Sequence, residues 1–414
     1  MDNFRECGDK KRRYMKILFV AIPNSIHTAR WISQLKGCGW ELHLFPGYYA
    51  ELHPEIGNVH YHAFREMINK IVFVFLRTIL RIMVRMGRDS RIRLLKIAQI
   101  KKMIDDRLAK IDDADRKARR LIETIERIKP DIVHSMEFQT NGYLTLQAKK
   151  IMQDRFPVWF ATNWGSDIFL YGKFPEHQEK IKALLSLCDY YSCETERDVL
   201  LAREFGYQGP VLPVVPNSGG FDLQRLMQLR DDTRTSQRRI IMLKGYQGWA
   251  GRALVGIRAL QRCSELLRDY EVVVYLASGE DGEIACRLLA ISTGIKVTIL
   301  PPQQTHETIM SYHGKARISI GLGISDAIST SFLEAIAMGA FPIQSDTSCA
   351  NEWIEDGVSG IIVPPEDPEV IEHAIRKALL GDDLVNKAAE INLKTVLERL
   401  DAEIIRKKAI GMYE

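Results

Sequence analysis

At 414 residues the chain exceeds what one hydrophobic core ordinarily supports, so two domains of roughly 200 residues each are expected. Its 46% hydrophobic and 27% charged content is that of a globular protein and excludes collagen-like, coiled-coil and disordered classes. The net charge of +4 is unevenly spread, because positions 70–102 hold ten basic residues against the single acid Asp89 and the rest of the chain is net negative.

In chain order, the apolar run 16–21 opens toward Pro23 and Asn24, a helix-like pattern follows through Leu35, and 40–45 alternates as a second strand. Strand, helix and strand within one short stretch make a βαβ unit. From Val72 to Met86 the order puts Arg77, Arg81, Arg85 and then Arg88 on one helical stripe, with Phe73, Leu76, Leu80, Met83 and Val84 elsewhere around it. That pattern suits an amphipathic helix lying on an anionic membrane surface, and equally a domain helix with a solvated basic face. The local charge, extreme against an acidic background, favours membrane contact through 70–102. No nucleic-acid-binding module accompanies it, so a nucleic-acid partner is not expected.

Further strands are expected at 131–134, 158–162, 190–193 and 211–215, with helical segments between them, completing a doubly wound parallel sheet. After the turn-rich segment 216–220 a second series begins, with strands at 239–243, 271–277, 296–300, 316–321, 341–344 and 360–363 and a helix at 253–267. Asp367-Pro368 supplies an N-cap and a proline at the first helical position, and Gly381 closes that helix. The expected organisation is a domain over 1–215 with a basic helical insert at about 66–128, a second over 216–382, and a helical segment over 383–414 that packs back on the first.

Seven cysteines (Cys7, Cys38, Cys188, Cys193, Cys263, Cys286 and Cys349) lack metal-ligand spacing and read as free thiols. The apolar run 17–22 is too short for a signal-peptide core or a spanning helix. The expected address is therefore the cytoplasm, with a peripheral position on the inner face of a membrane through the basic helix. No G-x-G-x-x-G fingerprint is present, which weighs against a dehydrogenase.

The most informative window is 325–342, SDAISTSFLEAIAMGAFP. A loop-to-helix junction there exposes the amides of Ser329, Thr330 and Ser331 at a helix N-terminus, where a pyrophosphate binds readily. A carboxylate on the first turn, Glu334, is placed to accept hydrogen bonds from ribose hydroxyls. The same letters also spell an S-x-x-E capping box, Ser331 to Glu334, that needs no ligand; both readings stand on the window alone.

This window resembles the signature of the family 4 retaining glycosyltransferases of the GT-B fold, in which two acids eight positions apart precede EAMAxGxPV. Asp326 stands where that family usually has glutamate, and Ala327, Ile328 and Ser329 stand where glycines are common. Other segments match in the same order: NSIHTARW from Asn24, PDIVH from Pro130, NWGSD from Asn163, PNSGGFD from Pro216 and NEWIEDGVSG from Asn351. The resemblance implies two Rossmann-like domains facing a cleft that holds a nucleotide sugar, UDP- or GDP-linked. It implies transfer with retained configuration by a front-face route, without metal or cofactor, to a glycan or lipid-linked acceptor in surface polysaccharide synthesis. Lys244 and Arg252 on the first loop of the second domain would neutralise the leaving phosphate, a term worth ~3 kcal/mol or more per group. No DxD motif stands in a donor-side loop.

The remaining site residues follow from the same alignment of motifs. Glu352 falls in the donor cleft beside Ser329, Thr330, Ser331 and Glu334, with His306 opening a helix near the base. Asp167 is either a reacting group or a loop anchor. Trp164 replaces a histidine that usually faces the reacting sugar, which implies a changed donor or acceptor, or an inactive homologue. His27 lies where open α/β sheets place ligands, or serves structurally, and His134 reads as a satisfied strand-end histidine. Trp164, Asn24 and Glu137 are the acceptor-side candidates. A nucleotide-sugar epimerase of the same fold and a non-catalytic sugar-binding scaffold are the alternatives to a transferase.

Overall fold

The computed structural model describes residues 14–48, 50–63, 114–277, 279–301 and 303–414. The basic helix anticipated at 70–102 lies outside them, as does the part of the anticipated insert that precedes Ala114. The chain falls into two compact units. The first runs to Asn163 and adds Pro175–Ser192 and Glu204–Leu212; the second comprises Trp164–Phe174, Cys193–Arg203 and Pro213–Glu414.

In the first unit β1 (Lys16–Ala21), β2 (Glu41–Pro46), β3 (His60–Tyr61), β4 (Ile132–Met136), β5 (Val158–Thr162) and β6 (Tyr190–Ser192) form one parallel sheet in the order β3-β2-β1-β4-β5-β6. Phe19 on β1 pairs in register with Leu44 and His134. These central strands are buried on both faces, which explains why they read as continuous apolar runs instead of alternating ones. Among the described residues, four helices accompany the sheet: α1 (Ile26–Gln34), α2 (Ala114–Ile128), α3 (Tyr143–Met152) and α4 (Pro175–Leu187). Helix α2 buries Ala118, Leu121, Ile125 and Ile128, a stripe at helical spacing, and packs along α3.

The strand expected at 211–215 is reduced to a single bridge between Tyr191 and Val211. Pro210, Pro213 and Pro216 each lack the amide a ladder needs, so the apolar letters do not propagate pairing.

The second unit repeats the topology. Strands β7 (Ile240–Lys244), β8 (Glu271–Tyr275), β9 (Lys296–Ile299), β10 (Ala316–Gly321), β11 (Phe341–Ser345) and β12 (Ile361–Val363) are parallel in the order β12-β11-β10-β7-β8-β9. Alternate residues feed two cores: Ile241, Leu243, Val272, Val274, Ile318 and Ile320 on one face, Met242, Val273, Tyr275 and Ala316 on the other. The flanking helices are α5 (Glu196–Glu204), α6 (Leu223–Leu229), α7 (Ala253–Arg262), α8 (Gly279–Thr293), α9 (His306–Lys315), α10 (Thr330–Ala337), α11 (Pro368–Leu380), α12 (Asp382–Arg399) and α13 (Ala402–Gly411). Helix α7 ends earlier than its apolar pattern, because Ser264–Leu266 tightens into a 3-10 turn before β8.

Helix α11 starts and stops at the residues that signal it: the Asp367 side chain accepts from the Glu369 and Val370 amides, and Gly381 is its C-cap. Helices α12 and α13 belong to the second unit, where Val396 and Leu400 join the core beneath Phe332 and Ile336 of α10. Phe221 is held there as well, its amide donating to Leu400 O at 2.8 Å and its carbonyl accepting from Ala402 N at 2.9 Å. The backbone of Gly220 lies so close to this junction that a Cβ would fall 2.6 Å from Ala402 Cα.

Among the described residues no helix is long and apolar enough to cross a membrane. The six described cysteines are all buried and free.

Candidate active site

The strand order of the second sheet reverses between β7 and β10, and ligands of open α/β sheets bind outside the carboxyl ends of the strands at such a point. There β7 ends at Lys244, β10 at Gly321 and β11 at Ser345. A small cavity of ≈ 70 Å³ opens at these ends, lined among others by Lys244, Tyr246, Asp326, Ser329, Gln344 and Ser345. Its floor is polar and nearly closed on itself: Gln344 Nε2 donates to Ser348 Oγ at 3.0 Å, and Ser348 Oγ donates to Ser345 O at 2.9 Å. The buried Ser345 hydroxyl finds no partner among the described residues. At Gly321 a Cβ would lie 2.3 Å from Gln344 Oε1, so a side chain there would have to displace the Gln344 amide.

Helix α10 begins at the mouth of this cavity. Ser329 is its N-cap by backbone, yet its hydroxyl makes no capping bond and instead meets Lys244 Nζ at 3.2 Å and Ser331 Oγ at 2.9 Å. The first amides of α10, those of Thr330 and Ser331, have no intrahelical acceptor. Lys244 forms no ion pair among the described residues. An ammonium and a helix N-terminus thus converge on one polar cavity, an arrangement suited to an anion.

The capping-box alternative does not describe this helix. Ser331 is its second residue and not its cap, and Glu334 turns away to meet His306 Nε2 at 2.7 Å. Glu334 is buried, while His306 is partly exposed as the first residue of α9, with Thr305 as N-cap. His313, two turns further along α9, is enclosed against the Tyr275 ring at 5.3 Å. Burial holds the His313 imidazole down to about 4, and burial likewise raises the Tyr275 phenol.

Arg252 is differently engaged from Lys244. It is the N-cap residue of α7, and its guanidinium bonds Glu366 at 2.8 Å and the loop carbonyl of Gly251 at 2.9 Å. It is not among the residues that line the cavity.

Asp326 lines the cavity and turns its carboxylate back on the chain, accepting from the Ala327 amide at 2.9 Å. Gly165 packs against that peptide: a Cβ would sit 2.2 Å from Ala327 N. Ser166 Oγ accepts from Ser325 Oγ at 2.9 Å, and Asp167 accepts from the Trp164 amide at 2.7 Å, closing the turn that presents Gly165. Asp167 therefore anchors its own loop, and Trp164 is partly buried beside it.

Arg197, at the start of α5, was not singled out by sequence and does much of the binding of this loop. Its guanidinium donates to Asp326 O at 2.9 Å, Thr347 O at 3.0 Å and Gly165 O at 3.4 Å, pairs with buried Asp198 at 2.9 Å, and lies 4.0 Å from the Phe169 ring centroid. Glu352 caps the same helix, accepting from the Glu196 and Arg197 amides, each at 3.1 Å. Neighbouring Glu194 accepts from the Asn217 amide at 2.6 Å; burial pushes its carboxyl up to about 8 against that bond, and the charges of Asp326 and Asp198 add to the rise.

In the first unit, the switch point lies between β1 and β4. Asn24 and His27 follow β1, where Ser25 caps α1 by accepting from the His27 amide at 3.2 Å. Asn24 Oδ1 accepts from Tyr48 OH at 3.1 Å, and burial followed by the nearby Glu137 charge raises the Tyr48 phenol. Glu137 follows β4 at φ +75°, a conformation held by its own carboxylate, which accepts from the Thr140 amide at 2.9 Å and from the Asn141 amide and Nδ2 at 3.2 Å. His134 is buried in the sheet, pushed down to about 3 by burial, with Nε2 2.5 Å from Thr162 Oγ1.

Among the described residues no group of three or more His, Cys, Asp or Glu side chains is arranged to hold a metal ion. Residues 255–395, from α7 into α12, match the family model of the glycosyl transferases group 1. The chain carries a glycosyltransferase domain. That domain contains Asp326, Ser329, Glu334 and Glu352, while Lys244 and Arg252 precede it. No curated protein sequence matches the chain.

Solved structures share the whole fold. Sucrose-phosphate synthase from Thermosynechococcus elongatus aligns at TM-score 0.65 and 14% identity over 96% of this chain and 98% of that one. A glycosyltransferase from Rickettsia africae aligns at 0.64 and 15% identity over 97% and 98%, and Anabaena HepE, in complex with UDP and glucose, at 0.64 and 13% over 97% and 99%. The fold class is therefore the expected one: α/β, with two Rossmann-like doubly wound units of the GT-B type.

Proposed function

We propose that the protein transfers a sugar from a nucleotide-sugar donor, with the donor diphosphate seated at the amino end of α10. The observation that carries this is the convergence of Lys244, the Ser329 cap and the first amides of α10 on the cavity at the β7/β10 switch point. Charge that develops on a leaving phosphate there meets donors already in place, so no reorganisation is needed as the bond breaks. The complexes of HepE with UDP and with UDP-glucose support a uridine donor by analogy of fold.

Within this reading, Lys244 and the α10 amides hold the diphosphate, Asp326 faces the donor sugar, and the His306–Glu334 pair lies toward the nucleoside. Arg252 reaches the phosphate only by leaving Glu366, which makes it a group that responds to occupancy. Membership of family 4, retention of configuration by a front-face route and independence of metal are supported by the ordered motifs of the sequence. The basic stripe at 70–102 supports a peripheral membrane position and, with it, a lipid-linked or glycan acceptor of surface polysaccharide synthesis.

Calorimetric titration of UDP, GDP and ADP into the wild type and into Lys244→Met and Glu334→Ala variants tests the donor site. Affinity for one diphosphate that drops in the variants supports it. Equal affinity in all three proteins, or none in the wild type, removes the basis of the reading; hydrolysis of the matching nucleotide sugar then separates a transferase from a scaffold.

A further inference from the structure

Trp249 is 56% exposed, an uncommon setting for so large an apolar side chain, and the donor reading makes no use of it. Its backbone is nonetheless held fast. Gln247 bridges Arg252 and Gly251 bridges Gly323, while Ala250 O accepts from Ile324 N at 2.9 Å and Tyr246 O accepts from Ala253 N at 3.3 Å. A ring presented to solvent from so constrained a loop adds little burial to the fold, and conserved order of this kind in a loop serves contact with something else.

Trp249 belongs to a larger aromatic surface. Its ring centroid lies 6.5 Å from that of Tyr171, and Tyr171 lies 6.0 Å from Phe174, which is 40% exposed. All three rings stand in the second unit, on two separate stretches of chain. The Tyr171 turn is fixed as firmly as the Trp249 loop: the amides of Leu170 and Tyr171 both donate to Ser166 O at 3.0 Å, and Arg197 lies 4.0 Å from the Phe169 ring centroid.

Both stretches are fastened to one strip of the donor-cavity wall. Ile324 N holds the Trp249 loop through Ala250, and Ser325 Oγ holds the Tyr171 turn through Ser166 Oγ. Ala250, Ser325 and Asp326 line the cavity itself. The two anchors immediately precede Asp326, the residue that faces the donor sugar in the reading above.

A pyranose fits this surface by its chemistry. One face of the ring carries C–H groups that pack on an aromatic π-face, while its hydroxyls project from the edge and keep their water. Trp and Tyr suit that task, being broad, rigid and polar at one edge, so little side-chain entropy is lost on contact. We propose that Trp249 and Tyr171 form a stacking platform for a pyranose of the acceptor, placed beside the donor cavity. The assignment to the acceptor rests on the transferase reading; the binding of a sugar does not.

Saturation-transfer NMR on the full-length protein without nucleotide tests the platform. The probes are the methyl glycosides of glucose, galactose, mannose, N-acetylglucosamine and glucuronic acid, with sorbitol as the acyclic control. At least one glycoside is expected to bind saturably through its ring C–H protons. Its affinity is expected to fall about tenfold in Trp249→Ala and in Tyr171→Ala, and to return in large part in Trp249→Phe. The exposure of Trp249 means that its variants are expected to fold. Calorimetry with UDP and UDP-glucose separates this reading from the donor site, since both affinities are expected to stay at the wild-type value in Trp249→Ala. Glycoside binding by a protein that takes no UDP would keep the platform and withdraw only the name acceptor. The proposal is overturned if no glycoside binds, if sorbitol binds as tightly, or if both alanine variants leave binding intact. It is also overturned by a loss of UDP-glucose affinity in Trp249→Ala that UDP does not share, which would give the ring to the donor sugar.

Discussion

Lys244 Nζ lies 3.2 Å from Ser329 Oγ, linking the end of β7 to the cap of α10. Replacing Lys244 by methionine keeps the aliphatic stem and removes the charge. Nucleoside diphosphate affinity is expected to fall about tenfold to a hundredfold, the value of a charge-assisted bond, with little change in melting temperature. Arg252→Met is expected to cost less, because its guanidinium is already bound to Glu366 and loop carbonyls. Calorimetry on the two variants side by side decides the order, and an equal or larger loss for Arg252 would show that it swings onto the phosphate.

Gly165→Ala and Gly248→Ala make a matched pair. The first pushes a methyl group into Ala327 N at 2.2 Å, while the second meets nothing within 4 Å. Overpacking of this kind typically costs ~1–3 kcal/mol. Donor hydrolysis is expected to drop in Gly165→Ala through displacement of the Asp326 peptide and to persist in Gly248→Ala; wild-type rates in both would mean that the loop yields freely.

The Glu194 carboxyl, pushed up to about 8, makes stability depend on pH. Its unfolded value is about 4.3, so between the two the native state binds the extra proton. The stabilisation is complete below the unfolded value and is lost as pH rises through about 8, with a slope of at most ~1.4 kcal/mol per pH unit. Melting temperature followed from pH 5 to pH 9 (roughly the window that linkage sets) is expected to decline in the wild type and to decline less in Glu194→Gln. Identical slopes would discard this group as the cause.

How much of this was legible in the sequence depends on whether a residue's neighbours are local. The strands were readable because both faces of each are buried, and α11 because Asp367, Pro368 and Gly381 signal it within its own length. The helix that His306 opens was legible in its own stretch of sequence. Glu352 was placed in the donor cleft, whereas its carboxylate is spent on the amides of α5, more than a hundred and fifty positions away in sequence, and no local letter announces that partner. Arg197 is illegible for the same reason: one arginine at a helix start carries no signal without Asp326, Thr347 and Gly165 around it. The run 211–215 has the apolar content of a strand, but its flanking prolines stop the ladder after one bridge.

Arg317 illustrates a charge that holds structure and not ligand. Its guanidinium is fully buried on β10 and donates to Ala378 O at 3.1 Å, Leu379 O at 2.9 Å and Asp382 at 2.7 Å, tying down the last carbonyls of α11, and it also donates to Ser236 O. Arg317→Met leaves those carbonyls without donors and is expected to cost ~3 kcal/mol or more. Asp382→Asn, at an exposed partner, is expected to cost under ~1 kcal/mol. Urea unfolding of the two variants provides the comparison, and similar losses would place the energy in the ion pair instead of the helix end.

The chain enters its second unit three times, through Trp164–Phe174, Cys193–Arg203 and Pro213–Glu414, before it ends. No single proteolytic nick or gene truncation can release that unit whole. A fragment starting at Pro213 would keep every strand of its sheet yet forfeit Arg197 and Gly165, leaving the Asp326 loop without its tether. Exchange of halves with a related enzyme therefore succeeds only where the junctions respect this threading, which makes chimeras a sensitive probe of which stretches evolved as one piece.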